Sequence, residues 1–384
     1  MSAPLPRAVH SVAWWIWALG LAAAASLTTN PIVLATVLLV AGIVVMARRT
    51  DAPWARAFRA YLVLGLVVVC IRMIFLVVLG GTAITRGHVL FRVPEMPLPG
   101  FMRGVTLGGP VSLESVVYAL YDGLRLATVL CCIGAANALA NPKRALRALP
   151  GALYELGVAI TVALTVAPQL VESVQRVRRA RRLRGATDKG RRAVRAIAMP
   201  VLEDALARTF RLAAAMDSRG YGRTAAVPHR LRRATGVLLV AALGGLCVGA
   251  YGMLDVTTPR WLGLPMLAFG LGCAAAGLII GSRRVSRTSY RPDVWAGAEC
   301  LTAACGVVAV TAMIVAAHFE PAALNPSIVP LAWPTIPAFA IVGIALAALP
   351  AWCTPPPVMT TIDHAAVESA PAPAHALATV EVAP

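Results

Sequence analysis

Two arginine-glycine steps, Leu183-Arg184-Gly185 and Ser218-Arg219-Gly220, each close a basic segment inside an otherwise apolar chain. A guanidinium presents a planar fork of donors suited to a carboxylate. A glycine behind it takes the left-handed conformation that ends a helix. Two such tips, about one long helix apart, describe a docking surface for an acidic partner rather than a catalytic centre. No Gly-x-x-x-x-Gly-Lys-Ser/Thr loop is present, so ATP binding by the usual phosphate cradle is not expected of this chain. No Ser/His/Asp or paired-carboxylate arrangement can be argued. The eight cysteines include no Cys-x-x-Cys, and His10, His88, His229, His318, His364 and His375 lack ligand spacing, so neither a metal site nor a resident cofactor is expected.

The tips need elements to carry them. Leu202, Leu206, Phe210, Ala213 and Met216 recur at steps of three or four and form one apolar stripe. Asp204, Arg208, Arg211 and Ser218 line the other side, with Asp204 and Arg208 at a favourable i,i+4 spacing. Gly220 follows as the C′ residue and leaves Arg219 at the negative end of the helix dipole. The first segment repeats the design through Glu172, Gln175, Arg176, Arg179 and Arg182, ending at Arg184 and Gly185. Helices over 153–184 and 193–219 would be roughly 48 and 40 Å long, joined by a polar connector at 186–192.

Composition sets the surroundings. The 384 residues are 59% hydrophobic and 14% charged, against about 45–50% and 25% in soluble domains. The chain therefore reads as an all-α integral membrane protein. Apolar runs predict eight spans, at 11–27, 31–47, 60–80, 113–140, 235–254, 261–281, 296–317 and 331–351. Of 35 Lys and Arg, 20 fall between Lys143 and Arg233. Positive charge favours the cytoplasmic side, so 48–59, 141–234 and 282–295 are read as inward loops and both termini as cytoplasmic. The first run resembles a signal peptide after Arg7, but the even span count requires that it stay.

Four regions follow from this. Residues 1–140 hold N-terminal spans, 141–234 a cytoplasmic module, 235–351 C-terminal spans and 352–384 a Pro/Ala-rich tail expected to be disordered. Leu153–Val171 is apolar enough to span, yet crossing alone would put most of the basic block outside. It is read as a helix buried against other spans or lying at the cytoplasmic interface, kinked near Pro168, with a re-entrant hairpin as the second reading. Residues 81–112, rich in Gly and Pro, are read as an external loop with short helices.

Charges inside spans are seldom idle. Arg72, Asp122 and Arg125 are candidates for intramembrane polar contacts, the arginines pairing with Asp122 or Glu114. Asp122-Gly123 resembles the start of a phospholipid-synthase motif, but the later spaced residues are missing.

The order of spans, a polar junction and two helices ending in Arg-Gly resembles the transmembrane T component of energy-coupling-factor (ECF) ABC transporters, the CbiQ-type permeases. Leu124-Arg125-Leu126, Asn141-Pro142, Leu149-Pro150 and Tyr154-Glu155-Leu156 match it, and Ala215 to Gly222 (Ala-Met-Asp-Ser-Arg-Gly-Tyr-Gly) is the longest match. The resemblance covers about 30–255 and is strongest over 141–223.

It implies a non-catalytic subunit in a bacterial cell membrane. Its coupling arginines, here Arg184 and Arg219, would dock in grooves of two cytoplasmic ATPase subunits or one fused ATPase chain, which bind the ATP. A separate S component would bind the cargo, a vitamin or transition-metal ion. Leu183 and Ser218 stand where the family has Ala, and four spans after the coupling region exceed its usual pattern.

The competing reading of the residues is a membrane enzyme or lipid-binding protein whose basic loop grips anionic headgroups. Nucleic acid is disfavoured, since only Phe210 and Tyr221 interleave the basic block.

Overall fold

A computed structural model of the chain describes residues 9–50, 57–79, 88–97, 106–147, 153–185, 190–220, 229–255, 259, 262–282 and 295–357. The arginines of the 282–295 loop, most of the 186–192 connector, Leu149-Pro150, Tyr221-Gly222 and nearly all of the tail lie outside these residues. Two compact units are formed, one from 1–145 with 293–384, the other from 146–292.

The first unit is built on α1 (Ser11–Ser26), α2 (Pro31–Arg48), α3 (Ala57–Leu79) and α4 (Leu113–Leu139), with α10 (Gly297–Phe319), α11 (Pro321–Leu324), α12 (Ala338–Leu346) and α13 (Pro350–Cys353). Asn30 caps α2, its Oδ1 accepting from Ile32 N at 2.9 Å, while Pro31 sits at N1, where no amide donor is needed. The Asn30 amide also donates to the Ala323 and Thr335 carbonyls at 2.8 Å each, and Thr28 Oγ1 donates to Leu324 O at 2.6 Å. The α1–α2 turn is thus tied to residues about 300 positions later in the sequence.

α1 and α10 cross where both are glycine. A Cβ on Gly20 would lie 2.3 Å from Gly306 O, and one on Gly306 would lie 2.5 Å from Trp17 Cα. Trp17 is fully buried there, and its indole N–H donates to Ala347 O at 2.9 Å, removing the polar cost of burying it. Leu21, Leu34, Met313 and Ile344 complete this core. α3 lies against α4, with Gly123 beside Val69 and Gly134 beside Tyr61, and Asn137 Nδ2 donates to Tyr61 Oη at 2.8 Å.

The helix α5 (Pro142–Arg147) follows α4. The second unit contains α6 (Tyr154–Leu183), α7 (Arg191–Ser218), α8 (His229–Leu254) and α9 (Leu264–Ser282). α8 and α9 meet closely at Gly245 and Gly270, where a Cβ on Gly245 would lie 2.9 Å from Gly270 Cα.

Among the described residues seven helices are long and apolar enough to cross a membrane: α2, α3, α4, α8, α9, α10 and residues Leu156–Leu183 of α6. The protein is an all-α membrane protein, and it differs from expectation in the lengths of two spans and in the exposure of α6. α1 and the α12–α13 stretch (Ala338–Cys353) are shorter apolar helices of 10–17 residues. The last expected span, 331–351, begins only at Ala338 because Pro330, Pro334 and Pro337 withhold amide donors and disfavour helical geometry before them. The apolar half of α6 is not buried: Leu156, Leu164, Leu170 and Val171 are exposed.

The described residues of the 81–112 segment form a hairpin instead of the expected short helices. β1 (Val89–Pro97) pairs antiparallel with β2 (Thr106–Ser112), in a register that sets Val89 opposite Ser112 and Phe91 opposite Val111. Val89, Phe91 and Val93 favour a pleated surface. Gly108, at φ 85°, lets β2 approach Pro94 O more closely than a side chain would permit.

Candidate functional site

α6 and α7 end alike. Arg184 caps α6 at φ −87° and ψ 7°, and Gly185 follows at φ 69°. Arg219 caps α7 at φ −90° and ψ 2°, and Gly220 follows at φ 76°. The Gly185 amide donates to Arg182 O at 3.1 Å and that of Gly220 to Asp217 O at 2.9 Å. Each glycine turns the chain away from the helix through the left-handed region. A Cβ on Gly185 would meet nothing within 4 Å, so the glycine there is required by φ and not by space.

Both arginines are exposed, and among the described residues neither side chain has a hydrogen-bond or ion-pair partner. Leu183 is 89% exposed, so its departure from Ala adds apolar surface beside the first tip. Ser218 turns its hydroxyl back to Ala215 O at 3.0 Å, and this position stays compact. Both helices run unbroken through their prolines, Pro168 and Pro200.

The helices are fastened to each other by a polar contact. Ser173 Oγ donates to Asp204 Oδ2 at 3.0 Å. Arg208 grips the same carboxylate from one turn further along α7, Nε to Oδ1 at 3.2 Å and Nη2 to Oδ2 at 2.8 Å. The Ser173 hydrogen bond, then Arg208 and the nearby positive charge of Arg176, hold the Asp204 carboxyl below its ordinary value, with partial burial opposing.

Ser173 and Val201 are buried at this contact, while Leu202, Leu206 and Phe210 are 55%, 47% and 72% exposed. This contact orients α7. Its Asp204–Arg208 side faces α6, and its apolar stripe faces outward. Sequence reading missed Ser173. Its signal was a small polar residue in register with Val166 and Val177, on the stripe of α6 that turns away from solvent.

Of the intramembrane candidates, Arg72 and Asp122 are brought together. The Arg72 guanidinium donates to Asp122 Oδ2. Arg125 joins neither Asp122 nor Glu114. Glu114 instead accepts from the backbone N of His88 at 3.1 Å, at the foot of the hairpin. Asp122 lies one turn from Arg125 on α4, but Arg72 has already taken it from α3. Among the described residues no group of three or more His, Cys, Asp or Glu is placed to hold a metal ion.

Compared with known families, the chain matches the cobalt transport protein family, CbiQ, over residues 6–229. The chain belongs to the CbiQ family. The CbiQ match starts earlier than the resemblance seen in the sequence and takes in α1, and it ends where α8 begins. No curated protein was found to match. CbiQ is a family of transport permeases, so this is a multi-pass membrane component of a transport system. Both arginine tips lie within the CbiQ match. The helices α8 to α13 lie beyond it, yet α10, α12 and α13 pack in one unit with α1 and α2, which the match includes.

Proposed function

We propose that this chain is the T subunit of an ECF-type importer, coupling two cytoplasmic ATPases, or one fused ATPase chain, to a membrane component that carries a vitamin or a transition-metal ion. The observation that carries the reading is the repeated tip. Two helices of 30 and 28 residues, locked together at Ser173 and Asp204, each end in an arginine, without a partner among the described residues, followed by a left-handed glycine.

Ser173 lies 11 residues before Arg184 and Asp204 lies 15 before Arg219, so the tips reach about 16 and 22 Å beyond the crossing along separate arms. In an acidic groove each guanidinium makes charge-assisted, bidentate hydrogen bonds. A pair of grooves that close on ATP binding then draws on both arms, and the crossing transmits the movement as one body. The apolar stripe of α7 supplies a surface for the cargo-binding component to cover. With the basic block inside, the tips face the cytoplasm.

A second reading has its own observation. Arg178, Arg191 and Arg195 line one groove between α6 and α7 and would suit anionic headgroups. Co-purification of the affinity-tagged chain from its native membranes, with the bound subunits identified, separates the two. The coupling reading expects ATPase capture that depends on Arg184 and Arg219. Capture that is unaffected by changing Arg184 and Arg219, or that falls equally when Arg178 or Arg191 is changed instead, overturns it.

A further inference from the structure

α3 and α4 carry three charged groups in the middle of the membrane and only two of them are matched. Arg125 lies 12 residues from the start of α4 and 14 from its end, about 18 and 21 Å. The hydrocarbon core has a half-thickness of about 15 Å, so a side chain at this position does not snorkel to a headgroup as one near a helix end does. The elements packed against α4 offer no counter-charge, because neither α1, α2 nor α3 contains an acidic residue. Asp122 is engaged by Arg72, and Glu114 is held at the hairpin. Two guanidiniums and one carboxylate leave a net positive charge at mid-depth, with Arg125 half-buried and lacking any hydrogen-bond or ion-pair partner among the described residues.

The surface around this charge is open. The Arg72 side chain is 47% exposed. Leu66, Val67, Ile71 and Ile74 continue an exposed apolar face along α3, and Tyr118 and Leu126 do so along α4.

We propose that Arg125, beside the Arg72–Asp122 pair, is a docking point for a transmembrane helix of a partner membrane subunit that carries one carboxylate at mid-depth. The apolar flanks pack on the helix and the carboxylate neutralises the surplus charge. An uncompensated guanidinium in hydrocarbon is costly, and an acidic helix removes that cost while an apolar one does not. The proposal rests on α3 and α4 spanning the membrane and does not use the ATPase-docking reading.

The test uses the full-length chain in phosphatidylcholine vesicles at pH 8 and three fluorescent Leu/Ala helices of about 20 residues, with Asp, Leu or Arg at the centre. Energy transfer to the labelled protein reads association, and no ATPase is present, so the result is independent of the coupling role. The Asp helix is expected to associate at least about tenfold more tightly than the Leu helix, and the Arg helix more weakly than either. Arg125→Leu, which suits the bilayer and should fold, is expected to bring the Asp helix down to the Leu level, and Arg125→Lys to retain most of the preference. Equal association of the Asp and Leu helices, or a preference that survives Arg125→Leu, overturns the proposal. An Asp preference abolished by replacing the lipid with phosphatidylglycerol also overturns it, assigning the charge to lipid phosphate.

Discussion

Ser173 of α6 donates its hydroxyl proton to Asp204 of α7 at 3.0 Å, and this contact fixes where two long basic helices cross. Both tips are measured from this point, so the crossing is the natural place for a movement at one arm to reach the other. Ser173→Ala removes the donor and leaves Asp204 hydrogen-bonded to Arg208 alone, with Arg176 of α6 the remaining attraction across the pair. Amide exchange along 165–180 and 197–210 is then expected to quicken while exchange in α10 is unchanged. Unaltered exchange in α6 and α7 would show that apolar contact at Val201 alone holds the pair.

The same carboxylate makes the crossing sensitive to acid. Asp204 is held below its ordinary value of 3.8 by Ser173 on α6 and by Arg208, with Arg176 on α6 adding attraction. A carboxylate depressed in the folded state stabilises that state above its unfolded pKa, and the contribution is lost as pH falls through the lowered folded value. Spin labels on the two arms should therefore hold one distance down to about pH 4 and broaden below it. In Asp204→Asn the distribution should no longer change with pH across that window.

Gly185 and Gly220 are expected to tolerate alanine poorly, although Gly185 has open space around it. A left-handed backbone costs an alanine about 1–2 kcal/mol, and the cost falls on the geometry that presents each arginine. Gly185→Ala and Gly220→Ala should fold normally but capture ATPase less well than the parent. Capture equal to the parent would separate the arginines from the turn behind them.

The α1–α10 crossing offers a different kind of test. Gly306→Ala drives a methyl group to 2.5 Å from Trp17 Cα, backbone against backbone, with no side chain able to yield. A loss of about 1–3 kcal/mol or more is expected, read as a lower midpoint of thermal unfolding in detergent. Gly42→Ala, which meets nothing within 4 Å, should be neutral or gain up to about 1 kcal/mol from helix propensity.

Parts of this molecule were legible in residue types alone. Arg-Gly at the end of a basic helix specifies a cap, and both caps formed where those pairs stand, because glycine is the residue that enters the left-handed region without penalty. The partner of a side chain was less legible. Asp204 and Arg208 are four apart and pair on any helix, but that Ser173 would meet them depends on how two helices cross. The same ambiguity governed Asp122, which had an arginine one turn away and another on α3. Contact across the helix pair won over contact along the helix. The outward stripe of Leu202, Leu206 and Phe210 was read correctly as a stripe, yet periodicity does not say whether the neighbour that covers it is this chain or another. The 81–112 segment was misread because glycine and proline, which interrupt strands elsewhere, here stand within the paired strands 89–97 and 106–112. The break before Ala338 was visible as prolines within an apolar run and outweighed by the hydropathy around them.

The tips themselves give the sharpest prediction. If Arg184 and Arg219 each enter an acidic groove, Arg184→Glu or Arg219→Glu should weaken ATPase capture or uncouple transport from ATP hydrolysis. Truncating a buried, hydrogen-bonded charge at an interface costs about 2–5 kcal/mol, much of it from the partner left unpaired, and reversal adds repulsion. The double variant should be worse than either single one, because the tips end separate arms and engage separate grooves. Arg178→Glu and Arg191→Glu are the controls. Both arginines line the groove between α6 and α7 rather than a helix tip, so under the coupling reading they should retain ATPase capture. Under the headgroup reading they should instead lose binding to phosphatidylglycerol vesicles. Capture by nucleotide-loaded ATPases and vesicle binding, measured on the same four variants, therefore separate the readings. If all four variants lose both properties equally, the basic block acts as a diffuse charge, and the assignment of Arg184 and Arg219 as coupling residues fails.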